Sequence, residues 1–206
     1  MKDRLIICIS REYGSGGREV GRKLAERLGI PCYDKELLTK TAQEHGISEA
    51  AIEAVDEQPA KWSSMGFPMG IRNPYQADYE DALYYVMNDK VFHMQAETIR
   101  HIASEGSCVL IGRAAEEVLK DDPDMVSFFI YADKADRVKR IMALEDIDAQ
   151  KADLIIRKMD KKRANYNNYY SDKKWGVCTS YDFAISSSRF GLDGTVDIIQ
   201  SVLEKV

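Results

Sequence analysis

No apolar run in this chain approaches the roughly 18 residues that a membrane helix requires, so no membrane helix is expected. The opening Met1-Lys2-Asp3-Arg4 and the apolar residues after it have the outline of a secretory leader. That run stops at Ser10-Arg11-Glu12 without a small-residue cleavage site, so the cytoplasm is the expected location. Cysteine is sparse: Cys8, Cys32, Cys108 and Cys178 are scattered, with no metal-like spacing. Three of them sit in apolar strand-like runs, where a reduced, buried thiol is the ordinary state. An excess of basic charge is missing too. The formal net charge is −5, which argues against a nucleic-acid-coating protein with its basic stripe. It does not exclude a nucleotide, because phosphates are bound by local arginines and amides rather than by net charge. Internal repeats and low-complexity tracts are absent as well.

What is present is enough for one compact α/β domain with a small insertion. The 206 residues are 45% hydrophobic, and a core of that size folds without a metal or disulfide. Leu5-Ile6-Ile7-Cys8-Ile9 is a continuous β-branched run, as expected of a parallel strand buried on both faces. Glycines 14, 16 and 17 break it, and Val20, Leu24 and Leu28 then recur at helical spacing up to Gly29, a C-terminal cap. Residues 30–34 read as a second strand, and 35–57 as helix with a break at Gly46 and Ser48. Residues 59–74 mix five Pro and Gly with Trp62, Met65, Phe67 and Met69, a loop that either self-associates or caps a pocket. A long helix is expected from about Ala77 to Glu105, then strands at 108–112 and 125–131. Asp133-x-x-Asp136 looks like a capped helix start, a charged helix covers about 148–170, and Phe183-Ala184-Ile185 and Thr195–Leu203 close the chain as strand and helix. Strands alternating with helices predict a layered α/β fold with a parallel sheet.

A parallel strand that enters a glycine turn and then a helix makes a natural anion site, since the first helical amides lack internal partners. Gly14, Gly16 and Gly17 let the backbone approach an anion, Ser15 adds a donor and Arg18 a charge. The plain alternative is a tight strand–helix connection without a ligand. The turn departs from G-x-x-x-x-G-K-[ST]. With Arg18 in the lysine place, Glu12 stands at the first glycine and Glu19 at the hydroxyl. Shifted by one, Gly17 stands at the lysine and Arg11 at the first glycine. Neither register contains the lysine or the Mg²⁺-binding hydroxyl.

The string Ile9-Ser10-Arg11-Glu12-Tyr13-Gly14-Ser15-Gly16-Gly17-Arg18-Glu19 resembles the opening of the cytidylate kinase-like family, a divergent branch of P-loop kinases. The likeness continues in Pro31-Cys32-Tyr33-Asp34-Lys35-Glu36-Leu37, Ile111-Gly112-Arg113, Phe129-Ile130-Tyr131-Ala132 and Asp160-Lys161-Lys162-Arg163-Ala164-Asn165-Tyr166. Asn168-Tyr169-Tyr170, Trp175-Gly176, Tyr181-Asp182 and Gly194-x-Val196-Asp197 complete it, so nearly the whole chain is covered. The resemblance implies a three-layer fold with a five-stranded parallel sheet in the order 2-3-1-4-5. It also implies a helical insertion on the acceptor side (about 44–105) and a lid (about 155–176). ATP and Mg²⁺ are the implied cofactors, with a nucleoside monophosphate or similar small molecule as phosphoryl acceptor. Two positions depart from cytidylate kinases proper: Lys35 and Glu36 replace the small residues after the aspartate matched by Asp34, and Ala114 replaces the aspartate of a G-R-D motif.

Phosphoryl transfer asks a protein for positioning and positive charge. The implied nucleotide contacts are Tyr13, Gly14, Ser15, Gly16, Gly17, Arg18 and Glu19, with Arg137 near the lid and Ser187 in the turn that holds the base. Asp34, Lys35 and Arg113 are the implied acceptor contacts, and Arg157, Lys161 and Arg163 the lid charges that join Arg18 and Arg113 around the transferred group. Each has a plain alternative: a solvated helix face for the lid, a salt bridge for Arg113 or Arg137, a polar turn at Ser186–Arg189. Asp34 or Glu12 would serve as base if the acceptor were a hydroxyl. His93, Glu97 and His101 mimic a metal site, but the end members are about 12 Å apart along a helix, too far to share an ion. Tyr166, Tyr169, Tyr170 and Trp175 are expected to pack the lid helix on the sheet rather than to stack on a base. The competing function is a nucleotide-binding sensor that has lost catalysis, and a third is a protein-interaction module on a relic fold.

Overall fold

A computed structural model describes residues 4–34, 36–48, 50 and 74–205. Lys35 and the 59–73 stretch with Trp62, Met65, Phe67 and Met69 lie outside the described residues. Five strands, β1 (Ile6–Arg11), β2 (Cys32–Tyr33), β3 (Cys108–Ile111), β4 (Met125–Tyr131) and β5 (Phe183–Ser186), form one parallel sheet in the order β2-β3-β1-β4-β5. Among the described residues the helices are α1 (Gly17–Leu28), α2 (Glu36–His45), α3 (Pro74–Glu105), α4 (Ala115–Val118), α5 (Lys134–Glu145), α6 (Ala149–Tyr170) and α7 (Ser187–Leu203). None is long and apolar enough to cross a membrane.

The central strand explains the layering. Ile7 and Ile9 point to one face, where Val20 and Leu24 of α1 and Val196, Ile199 and Leu203 of α7 cover them. Ile6 and Cys8 point to the other, against Leu37 of α2 and Ile99 and Ile102 of α3. A strand buried on both faces has no polar position to spare, hence its unbroken apolar run. Burial of each large aliphatic side chain here stabilises by about 1.5–3 kcal/mol. The alternation continues to the strand's end, so Ser10 faces the α3–α4 side and Arg11 the α1 side.

Several boundaries differ from expectation, each for a local reason. The second strand shrinks to Cys32–Tyr33, an edge pair bonded on one side only to β3. Pro31 cannot donate to a ladder, and its carbonyl alone joins, accepting from Val109 N at 2.9 Å. The last helix starts at Ser187 rather than Thr195, with Gly191 at φ 69° and ψ 177° interrupting it. Asp133 precedes α5 but makes no side-chain cap bond. Its own amide donates to Ser188 Oγ at 2.8 Å, which fixes the helix start from outside. Asp148 does cap α6, accepting from Lys151 N at 2.8 Å. The four cysteines are free; Cys8 and Cys108 are buried and Cys178 is exposed. Burial raises the Cys32 thiol to about 11 and Cys108 to about 12, so both stay protonated and unreactive.

Candidate functional site

The glycine turn lies at the carboxyl end of the central strand, between Arg11 and the first residue of α1, Gly17. Gly14 and Gly16 both have φ 80°, the left-handed region open to glycine. A Cβ on Gly16 would stand 2.7 Å from Arg140 Nη1, so the guanidinium packs where a side chain would be. Three consecutive carbonyls are tied from outside. Tyr13 O accepts from Arg137 Nε at 2.8 Å, Gly14 O from Arg140 Nη1 at 2.8 Å, and Ser15 O from Ser187 Oγ at 2.6 Å. The braced carbonyls fix the loop's shape, and within it Ser15 N donates to Glu12 O at 3.3 Å. Ser15 Oγ donates to Glu12 O at 2.9 Å and accepts from Gly17 N at 3.3 Å.

One loop amide already holds an anionic oxygen. Tyr13 N donates to Asp160 Oδ1 at 2.7 Å, and the other oxygen of Asp160 pairs with Arg137. Arg137 also meets Glu12 Oε1 at 3.1 Å, while Glu12 Oε2 accepts from Ala132 N at 3.0 Å. A buried guanidinium therefore sits between two carboxylates and a loop carbonyl, with its charge matched on the spot.

A cavity opens on each side of the turn. On the β4–β5 side one of about 340 Å³ is lined by Ala132, Asp136, Lys139, Arg140, Ser187 and Ser188, a size suited to a small ligand. On the β1–β3 side one of about 10 Å³ is lined by Ser10, Arg11, Arg113, Arg163, Asn167 and Trp175, enough for a single water-sized guest. Both open beyond the carboxyl ends of the strands, where open α/β sheets bind ligands. The second owes its shape to an unusual backbone. Gly112, Arg113 and Ala114 have φ 76°, 59° and 50°, so two residues with side chains sit in a region that costs each of them about 1 kcal/mol or more. That turn aims the buried Arg113 into the cleft. Behind it lies Glu116, buried, accepting from Ser10 Oγ at 2.8 Å and Asn167 Nδ2 at 2.9 Å. Burial pushes the Glu116 carboxyl up, opposed by these hydrogen bonds and the charge of Arg11.

The residues expected from sequence divide into two groups. Tyr13, Gly14, Ser15, Gly16, Gly17, Arg137 and Ser187 come together at the loop, and Arg113 with Arg163 at the cleft. Arg18, half exposed, pairs with the buried Asp34, whose other oxygen is 3.9 Å from Arg11 Nη2. Glu19 is exposed in the first turn of α1, with Lys23 Nζ 3.9 Å away. On α6, Arg163 donates to Arg11 O at 3.1 Å and lies 5.3 Å from the centre of the Tyr13 ring, a cation–π contact. Arg157 instead pairs with Asp153 on the exposed side, and Lys161 faces solvent. Asp160 and Arg163, three apart, share the face that meets the loop; Arg157 and Lys161, four apart, share the one that does not.

Sequence reasoning missed the carboxylate network of Glu12 and Asp160 and the buried Glu116. The one available signal was Asp160, the lone acid in the 157–163 basic run. The tyrosines pack on α3 and Trp175 on the sheet: Tyr170 stacks on Phe92 with centroids 3.7 Å apart, Tyr166 donates to Gln95 Oε1 at 3.1 Å, and Trp175 meets Phe129 edge-on at 5.3 Å. His101 faces Glu44 at 3.0 Å, and no metal-holding cluster occurs among the described residues.

Known proteins fit this geometry. No curated protein matches the chain in sequence. A solved structure of an uncharacterized protein from Eubacterium ventriosum is 32% identical, with 98% of this chain and 100% of that one covered and a TM-score of 0.73. Shikimate kinase from Bacteroides thetaiotaomicron, 13% identical over 97% of this chain and 98% of its own, has a TM-score of 0.53 and shares the fold. The sheet order is thus that of a P-loop kinase fold. The model of the cytidylate kinase-like family matches residues 6–189, from the first residue of β1 into the start of α7, and the chain belongs to that family.

Proposed function

We propose that this protein is an ATP-dependent phosphotransferase acting on a small phosphoryl acceptor, a nucleoside monophosphate or a molecule of similar size. The observation that carries the reading is the glycine turn set between two cavities, a roomy one beside Arg140 and Ser187 and a tight arginine-lined one beside Arg113. The larger takes the nucleotide's base and sugar and the turn its phosphates, while the acceptor enters beside Arg113 when Arg163 and Asn167 of α6, which close the tight cleft, move aside. Chemistry of this kind needs fixed positive charge more than covalent participation. Arg113 meets the acceptor and Arg163 the transferred group, with Asp34 and Lys35 on the acceptor side. Residues 155–176 act as a lid, whose closure brings Arg157 and Lys161 toward the phosphates and excludes water.

Mg²⁺ would arrive on the nucleotide with its own waters and, once held, would supply positive charge against the phosphates. Glu12 and Asp34 are committed to arginines, so the exposed Glu19 in the first turn of α1 is the oxygen donor suited to it. Glu116, protonated more readily than an ordinary carboxyl, gives the cleft a buried acid beside its arginines.

Incubation with labelled ATP, Mg²⁺ and a panel of nucleoside monophosphates and small alcohols tests the reading. Label transferred to one acceptor class is the expected result. ATP bound without transfer to any acceptor would establish a nucleotide sensor instead, and no nucleotide-induced thermal shift would leave an interaction module.

A further inference from the structure

Two of the loop's three departures from G-x-x-x-x-G-K-[ST] are complementary in space. In the register that places Gly17 at the lysine, Arg11 stands at the first glycine. The structure brings these two positions against one another. A Cβ built on Gly17 would lie 2.5 Å from Arg11 Cβ and 3.1 Å from Arg11 Cγ. The stem of Arg11 therefore runs through the volume where a side chain at position 17 would begin. In the standard loop the glycine leaves room and the lysine fills it; here the strand residue fills it and the helix residue leaves room.

We propose that Arg11 supplies the cation that a P-loop lysine supplies, delivered from the end of β1 instead of the start of α1. This deepens the phosphotransferase reading and rests on it. Four observations support the exchange. Arg11 belongs to the α1-facing side of β1, so its side chain must leave beneath the loop. It is buried, only 8% exposed, and a buried guanidinium in a cleft at a strand's carboxyl end is where an anionic ligand is expected. It lines the tight cavity together with Arg113 and Arg163. Its Nη2 stands 3.9 Å from Asp34 Oδ1, between the loop and the acceptor-side carboxylate, as a group that bridges donor and acceptor must. Arg18, next in sequence, is ion-paired with Asp34 from the half-exposed side and sits beyond the loop's inner face.

The exchange makes a prediction that a merely structural arginine does not. Gly17 has no left-handed φ, so a lysine is compatible with its backbone once Arg11 is gone. Three variants of the full chain are compared with wild type: Arg11→Gly, Gly17→Lys, and both together, which restores the glycine and the lysine of the standard pattern with Arg18 still at the hydroxyl position. Calorimetry measures adenosine, ADP and ATP binding, and thermal denaturation measures folding. Arg11→Gly is expected to lose tenfold or more in ATP affinity while adenosine affinity holds. Gly17→Lys alone should melt lower, because its Cβ meets the Arg11 stem. The double variant should recover both melting temperature and ATP affinity, a coupling expected only of positions that share one volume and one task. If Arg11→Gly unfolds, Arg11→Lys and Arg11→Gln are compared at matched folding, with retention by lysine and loss by glutamine expected.

ATP bound by Arg11→Gly as tightly as by wild type would overturn the proposal. So would a double variant that melts like wild type yet binds ATP as weakly as the single one. Wild type that binds no ATP at all is a different outcome: the phosphotransferase reading then fails first, and the proposed role of Arg11 with it.

Discussion

The two sides of the glycine turn are built on different principles. On the β4–β5 side, contacts are directed hydrogen bonds to fixed carbonyls: Arg137 to Tyr13, Arg140 to Gly14, Ser187 to Ser15. On the β1–β3 side, the contacts are among charges, with Arg11 and Arg18 on Asp34 and Glu116 close by. The first side holds the loop's shape. The second stores unlike charges in a nearly closed cleft, where an entering anion has partners to exchange with. A nucleotide kinase needs both, since its loop must be preorganised and its cleft must accept a charged guest. Fixing shape on one side leaves the other free to respond.

The largest effect expected from breaking that contrast is at Arg137. Its guanidinium is buried between Glu12 and Asp160, so Arg137→Ala leaves two carboxylates with no counter-charge and a loop carbonyl with no donor. The expected loss is about 3–5 kcal/mol of unfolding free energy, measured by urea denaturation. A loss below about 1 kcal/mol would mean that the brace is incidental, and the two sides would no longer differ in kind.

A smaller effect sharpens the cleft side. Burial raises the carboxyl of Glu116 in the folded protein. The folded state then binds this proton more tightly than the unfolded chain does. The resulting contribution to stability is complete below the ordinary carboxyl range and is lost as pH climbs through the raised value. Glu116→Gln cannot ionise and keeps an oxygen for Ser10 and Asn167. Its stability relative to wild type should therefore be greater at pH 8 than at pH 5, by about 1.4 kcal/mol for every tenfold by which folding tightens the proton. Parallel stability curves for the two proteins across that range would show that Arg11 and the hydrogen bonds cancel the burial cost.

How much of this was legible beforehand follows from distance along the chain. β4 falls at residues 125–131 as its apolar run predicts, and the glycine turn came through because a strand, a turn and a helix are local patterns, whereas the sheet order came through the family resemblance. The bond from Tyr13 N to Asp160 joins residues 147 apart, and no local pattern announces it. Arg18 was legible as a charge next to the loop, but its direction depends on Asp34 being buried beside it, a tertiary fact. Asp133 had the residue type of a cap and not the geometry, because Ser188 from a distant turn took its amide. The Arg11–Gly17 pair lies between these cases. Both oddities are visible as letters, yet only the 2.5 Å approach shows that one compensates the other.

The smallest structural effect, and the finest test of the contrast, belongs to the face of α6 that looks away from both sides. Arg157 is exposed and, among the described residues, pairs with its helical neighbour Asp153, an arrangement that solvent screens almost entirely. Arg157→Ala should leave the melting temperature where it is. Under the proposed lid movement the same change removes a charge that reaches the phosphates only on closure, so kcat should fall tenfold or more while the KM for ATP stays nearly constant. Asp160 and Arg163 complicate this, because they already anchor α6 to the loop through Tyr13 and Arg11. Unchanged kcat in both Arg157→Ala and Lys161→Ala would then leave Arg163 as the remaining basic contribution of that lid set, and catalysis would depend on the loop-facing side of the helix alone.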